Sequence, residues 1–251
     1  MVYFIGAGPG DPELITVKGA RLLAEAEVVI YTGSLVNPAL LDNCREGTEI
    51  HNSASMSLEE IIGTMVEACA RGKKVARVHT GDPALFGAIQ EQMDALSRAG
   101  IPFSVIPGVS SFLAAAAAIP HELTLPGVTQ TVILTRAEGR TPVPPGETLS
   151  ALAWHGATMC IFLSVHMMAE VVEALKAGGY TQDTPVIVVE RASWPEQQVI
   201  RGTIADIEQK VREAGINKTA QIMVGKAFGA DYEPSKLYDA SFDHAFRRPA
   251  Q

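Results

Sequence analysis

Cysteine is scarce in this chain, and so are the patterns that usually hold a metal. Cys44, Cys69 and Cys160 are odd in number and far apart, so they build neither a disulfide framework nor a CxxC site, and they read as packing residues. The six histidines (His51, His79, His121, His155, His166 and His244) contain no HExxH pair, which argues against a zinc centre. Long hydrophobic runs are missing too. No stretch of about 18 consecutive apolar residues occurs, so no membrane partner is expected. The first residues follow a strand pattern instead of a basic segment leading into a cleavable apolar one, and the expectation is a soluble, cytoplasmic enzyme. Charged residues make up only 19% of the 251, with a net charge of −8, and this acidic balance argues against a nucleic-acid partner. There is no internal repeat or low-complexity tract.

What is present is core. With 47% hydrophobic residues the chain can bury one large core or two modest ones. Strand-like runs alternate with helical patterns through the first half: strands at 2–6, 27–31, 74–79 and 102–106, and helices near 17–25, 37–43, 57–70, 86–99 and 109–118. Alternation of this kind predicts crossover units and a parallel sheet. Thr16 and Ser57 stand at N-cap positions, the latter three residues before Glu60 as in a capping box. Pro120 to Gly127 interrupts the pattern. The second half restarts with strands at 130–135, 157–163, 185–190, 197–201 and 219–225 and helices near 148–152, 166–177 and 204–213. Short connections near its end predict a mixed sheet. The expected fold class is therefore α/β, with an N-terminal domain over 1–119, a linker at 120–128 and a C-terminal domain over 129–251. The stretch from Ala137 to Gly146, with three prolines and two glycines, reads as a surface loop, and the chain beyond about 229 as an irregular tail.

Ligands of open α/β sheets lie beyond the carboxyl ends of the strands. The first strand feeds Gly6-Ala7-Gly8-Pro9-Gly10-Asp11, whose glycines let a bound molecule come close. A dinucleotide fingerprint would need glycine where Asp11 stands, and Pro9 removes one N–H from the loop. The next strand, Val28-Val29-Ile30-Tyr31-Thr32-Gly33, ends without an acidic residue for a ribose, so NAD is disfavoured. Later strands are followed by Thr80-Gly81-Asp82-Pro83-Ala84-Leu85-Phe86-Gly87 and by Pro107-Gly108-Val109-Ser110-Ser111. Together these loops offer flexible backbone, small hydroxyls and few carboxylates, with little fixed positive charge, a lining for an adenosine-like cationic ligand and not for a phosphate-rich one.

These loops, with Leu14-Ile15-Thr16-Val17-Lys18-Gly19, Leu134-Thr135-Arg136, Ile161-Phe162-Leu163 and Glu190-Arg191-Ala192-Ser193, resemble the tetrapyrrole (corrin/porphyrin) methyltransferase family over nearly the whole chain. The run Tyr31-Thr32-Gly33-Ser34-Leu35-Val36-Asn37-Pro38 is most similar to the branch that methylates C11 of a corrin precursor in cobalamin synthesis. The resemblance implies two α/β domains with S-adenosylmethionine in the cleft between them, a homodimer, and a small tetrapyrrole substrate. Carried over residue by residue, it implies a cofactor lining of Pro9, Gly81, Asp82, Pro83, Ser110, Ser111, Leu163 and Ala192, acting mostly through backbone groups. Asp82 would accept from a ribose hydroxyl or attract the sulfonium; the competing role is a turn residue that bonds its own backbone. Leu163 and Ala192 read equally as core.

One position departs from the family. Where the branch acting on uroporphyrinogen has arginine after the Phe-Gly pair, this chain has Ala88, so that substrate is not expected. A corrin precursor carries several carboxylates, which a chain of net charge −8 must meet with local cations. Arg136, Arg140, Arg191, Lys18 and His121 are the candidates, with Glu91 as a further polar group beside Ala88. No catalytic acid or base is assigned. Residue types do not distinguish a metal-free ring from one holding cobalt. Other acceptors open to the same superfamily are RNA and a protein histidine, and a non-enzymatic ligand-binding protein on the same scaffold is the remaining alternative.

Overall fold

The structure, a computed structural model, describes residues 1–33 and 35–235. Ser34, His244 and most of the expected irregular tail lie outside the described residues. The chain divides into two compact units: Met1–Ala118 together with Arg191–Gln198, and Ile119–Glu190 together with Val199–Gln251.

The first unit is a five-stranded parallel sheet built from β1 (Val2–Gly6), β2 (Val28–Tyr31), β3 (Glu49–Asn52), β4 (Val75–His79) and β5 (Phe103–Ile106), in the order β3-β2-β4-β1-β5. The crossover helices are α1 (Val17–Glu25), α2 (Leu58–Ala70) and α3 (Gln90–Arg98), and α4 (Ser111–Ala118) follows β5. Side chains alternate across β1: Val2 and Phe4 enter one core layer with Met65 and Leu96, while Ile5 enters the other with Leu23, Leu40 and Val78. Both expected caps are present. Thr16 Oγ1 accepts from Gly19 N at 3.1 Å, and Ser57 and Glu60 complete the box that opens α2, an arrangement worth about 1 kcal/mol.

Three elements differ from expectation. β3 was not predicted, because Glu49-Ile50-His51-Asn52 is a half-exposed edge strand without an apolar run. The expected helix near 37–43 is a 3-10 helix over Pro38–Asn43, capped by Asn37. The helix expected from 86 begins at Gln90, because Phe86 (φ 55°) and Ala88 (φ 48°) take left-handed backbone that no right-handed helix contains.

The second unit holds β6 (Val132–Arg136), β7 (Thr158–Phe162), β8 (Pro185–Glu190), β9 (Gln198–Thr203) and β10 (Ala220–Val224), ordered β6-β7-β10-β8-β9. β6 and β7 are parallel, whereas β10 runs antiparallel to both β7 and β8, so the sheet is mixed. Its helices are α5 (Leu149–Ala153), α6 (Met168–Ala177) and α7 (Ile207–Glu213), packed over Met159, Ile161, Val188 and Ile222.

Candidate functional site

In the parallel sheet all carboxyl ends share one edge, and β4, β1 and β5 are neighbours there, so their three loops meet. Gly8 and Gly81 exchange backbone hydrogen bonds across the first two loops: Gly81 N donates to Gly8 O at 2.8 Å and Gly8 N to Gly81 O at 3.3 Å. Asp82 ties the second loop to the third. Its Oδ1 accepts from Ala84 N at 2.8 Å, the local turn, and its Oδ2 accepts from Gly108 N at 2.9 Å.

The junction admits no side chain. A Cβ on Gly6 would lie 2.6 Å from Gly108 Cα and 2.7 Å from Gly81 O, and one on Gly108 would strike Gly81 O. The close approach that these glycines permit is thus made by the chain's own backbone. Gly81 also lies against the turn that opens α4, with Ser110 Cα 3.6 Å from where its Cβ would be.

Seven of the eight expected cofactor residues belong to this first unit: Pro9, Gly81, Asp82, Pro83, Ser110, Ser111 and Ala192. Pro9, Pro83, Ser110 and Ala192 are buried, while Asp82 and Ser111 are half-buried. Leu163 belongs to the second unit, just past β7. It is not a core residue: its side chain is 58% exposed and its φ is 55°.

Strain concentrates at the strand ends. In the first unit Phe86, Ala88, Arg191 (φ 46°) and Ser193 (φ 70°) hold left-handed backbone that non-glycine residues rarely adopt, and Phe86 is 48% exposed. Held strain beside an exposed apolar side chain is the combination expected of a ligand-binding rim.

The cations proposed from sequence are divided between the units, Lys18 and Arg191 in the first and Arg136, Arg140 and His121 in the second. Arg136 turns its guanidinium on its own loop, donating to Ala137 O at 3.1 Å, Thr141 O at 3.0 Å and Pro142 O at 2.9 Å. His121 Nε2 pairs with Ala227 O at 2.7 Å, with its ring against Phe228, and so fastens the chain within the second unit. Arg191 approaches Glu196 at 3.8 Å. Lys18 and Arg140 are exposed, and Glu91 is an exposed residue in the first turn of α3.

Sequence reasoning missed three contributors. Trp194 Nε1 donates to Pro9 O at 3.0 Å, Asn37 Nδ2 donates to Gly10 O at 2.9 Å, and Ser193 Oγ accepts from Asp11 N at 3.0 Å. Ser193 stands in a quoted motif and Asn37 in another, but only the fold brings them to the first loop. Among the described residues no group of three or more His, Cys, Asp or Glu could hold a metal ion, and no helix is long and apolar enough to cross a membrane.

A model described as Tetrapyrrole (Corrin/Porphyrin) Methylases matches residues 1–208. The chain belongs to that family. Among its curated methylase relatives, a cobalt-precorrin-4 C(11)-methyltransferase of Methanocaldococcus jannaschii is 55% identical over 98% of this chain and 96% of its own length. A precorrin-4 C(11)-methyltransferase of Pseudomonas aeruginosa is 49% identical over 98% of each. Among solved methylases, the X-ray structure of a cobalt precorrin-4 methyltransferase, a cobalamin biosynthetic enzyme, is similar with a TM-score of 0.89 at 50% identity, over 91% of this chain and 96% of that one. The uroporphyrin-III C-methyl transferase of Thermus thermophilus complexed with S-adenosyl homocysteine is similar with a TM-score of 0.76 at 28% identity, over 91% of this chain and 93% of that one.

Proposed function

We propose that this methylase transfers a methyl group from S-adenosylmethionine to C11 of a corrin precursor, precorrin-4 or its cobalt complex, in cobalamin synthesis. The observation that carries the reading is the match over nearly the full length to proteins named for that reaction, which spans both units and every loop of the rim.

The rim suits the cofactor. Each Asp82 oxygen accepts one backbone N–H and keeps lone pairs for a ribose hydroxyl, and its negative charge favours a sulfonium nearby. The N-terminus of α4 opens at Ser111, where the partial positive charge of a helix end favours the carboxylate of the amino-acid part. Phe86 offers an apolar face to a flat base. When bound, the cofactor supplies an electrophilic methyl carried by a sulfonium. The protein's part is positioning, since holding nucleophile and methyl in line can supply about 7 to 11 kcal/mol of a barrier. For the substrate's carboxylates, Lys18 and Arg140 present exposed cations, and Arg136 and Arg191 add charge at strand ends. Glu91 and His121 are further members of the proposed substrate set. Ala88 in place of arginine supports a corrin acceptor over uroporphyrinogen.

We further infer a homodimer working in the cytoplasm, on the strength of the family resemblance. The test is to incubate purified protein with methyl-labelled S-adenosylmethionine and, separately, metal-free precorrin-4, its cobalt complex, RNA and a protein acceptor. The expected result is label on C11 of one or both corrin precursors, located by NMR and mass spectrometry. Label on RNA or on protein alone would overturn the reading, and the relative rates on the two precursors assign the metal state.

A further inference from the structure

The first loop is held from outside itself. Its three successive residues each have a backbone group fixed by a distant side chain: Pro9 O by Trp194 Nε1, Gly10 O by Asn37 Nδ2 and Asp11 N by Ser193 Oγ. The indole also fills the space above Gly10, where an added Cβ would fall within the ring. The segment carrying Trp194 is itself locked. Trp194 N donates to Arg191 O at 2.9 Å, Gln197 N to Trp194 O at 3.1 Å, and Ser193 N to Gln197 Oε1 at 2.8 Å. These bonds hold Arg191 and Ser193 in their left-handed conformations and place buried Ala192 between them.

We infer that Trp194 is a positioning residue for cofactor binding, acting through Pro9 and Gly10, and that its indole reports occupancy of the site. The inference rests on the cofactor reading given above. A turn with one N–H removed by proline and two glycines has many conformations, and a nucleoside that binds through backbone groups requires one of them. Trp194 supplies that selection twice, by a hydrogen bond to Pro9 and by sterically closing the space over Gly10. It also sets the position of Ala192, two residues away and in the proposed lining.

The chain has two tryptophans, and Trp154 is 80% exposed in the second unit, so Trp154→Phe leaves Trp194 as the only indole. In that variant, titration with S-adenosylhomocysteine should change the emission of Trp194, with a midpoint equal to the calorimetric Kd. Trp194→Phe keeps an aromatic ring and removes the Nε1 donor. It should weaken S-adenosylhomocysteine binding about three- to tenfold, the loss of one hydrogen bond, and raise the KM for S-adenosylmethionine equally while kcat stays within about twofold. A merely structural role would lower Tm and leave Kd unchanged. Should Trp194→Phe fail to fold, Ser193→Ala makes the same test through Asp11 N, with the same expected loss. If wild-type protein binds S-adenosylhomocysteine and the variants bind it equally well, or if the emission is silent, the positioning role is overturned and the cofactor reading stands. If wild-type protein does not bind it, both fall.

Discussion

Asp82 makes the local turn that sequence reasoning set against a ligand role, and a second bond besides. Its Oδ1 makes the local turn with Ala84, and its Oδ2 reaches across to Gly108, so the carboxylate clamps two strand-end loops. Only the remaining lone pairs are left for the proposed cofactor. Asp82→Ala would therefore orphan the Gly108 N–H as well as remove the proposed cofactor contact, and it should destabilise the fold by about 1 to 3 kcal/mol. Asp82→Asn retains one acceptor oxygen and should lose less. Denaturant midpoints and calorimetry on the same samples check this: loss of binding with unchanged stability would mean that the carboxylate serves the ligand alone. Arg136 carries a similar lesson. The sequence marks its charge, whereas the three carbonyls it gathers from 137–142 become neighbours only when the loop curls back.

At the scale of the element, β4 is the unusual strand. All five residues are buried, and two of them, Arg77 and His79, are ionisable and on the same face. Arg77 Nε donates to Gln92 Oε1 at 3.1 Å, and Gln92 Nε2 donates to Ala88 O at 2.9 Å, so the strand fixes the left-handed turn before α3. Burial, reinforced by the charge of Arg77, pushes the pKa of His79 down to about 3, and its Nε2 has no hydrogen-bond partner among the described residues. The unfolded chain binds a proton at this histidine near pH 6.5, whereas the folded chain does so only near 3. Between those values the unfolded state holds more protons, so stability is full above about pH 6.5 and falls as pH drops, by about 2 kcal/mol at pH 5. His79→Leu should flatten this slope with little loss at pH 7, since no hydrogen bond is broken. Urea midpoints from pH 7 to 4 measure it, and parallel profiles for the two proteins would refute it.

The elements that were legible share a cause. β1, β2 and β8 announce themselves as apolar runs ended by glycine, proline or charge, and α1 and α2 by amphipathic spacing behind a cap. β3 stayed hidden because an edge strand needs burial on little of its surface. The rim was legible as three glycine-containing loops because strand ends of a parallel sheet must share an edge. Trp194 was not, since its partner Pro9 lies 185 residues away and no local pattern encodes such a return.

At the scale of the whole molecule, the first unit is not one piece of chain. Arg191–Gln198 follows β8 directly and runs to the start of β9, yet it packs with Met1–Ala118. Residues 1–118 alone would hold every strand of the parallel sheet, so secondary structure by itself predicts an independent domain. They would lack the indole over Gly10, the donor to Pro9 O and the acceptor for Asp11 N. Two lost hydrogen bonds and an uncovered loop amount to about 1 to 3 kcal/mol before the bared apolar surface is considered, a large share of a small domain's 5 to 15 kcal/mol. A fragment ending at Ala118 should therefore melt at a lower temperature than the intact chain by circular dichroism, and bind S-adenosylhomocysteine at least tenfold more weakly by calorimetry. Adding the peptide 191–198 in trans, with Trp194 intact, should recover part of that affinity, and the same peptide with alanine in place of Trp194 should not. A fragment that binds as tightly as the whole chain would show that the returning segment is dispensable to the loop it covers.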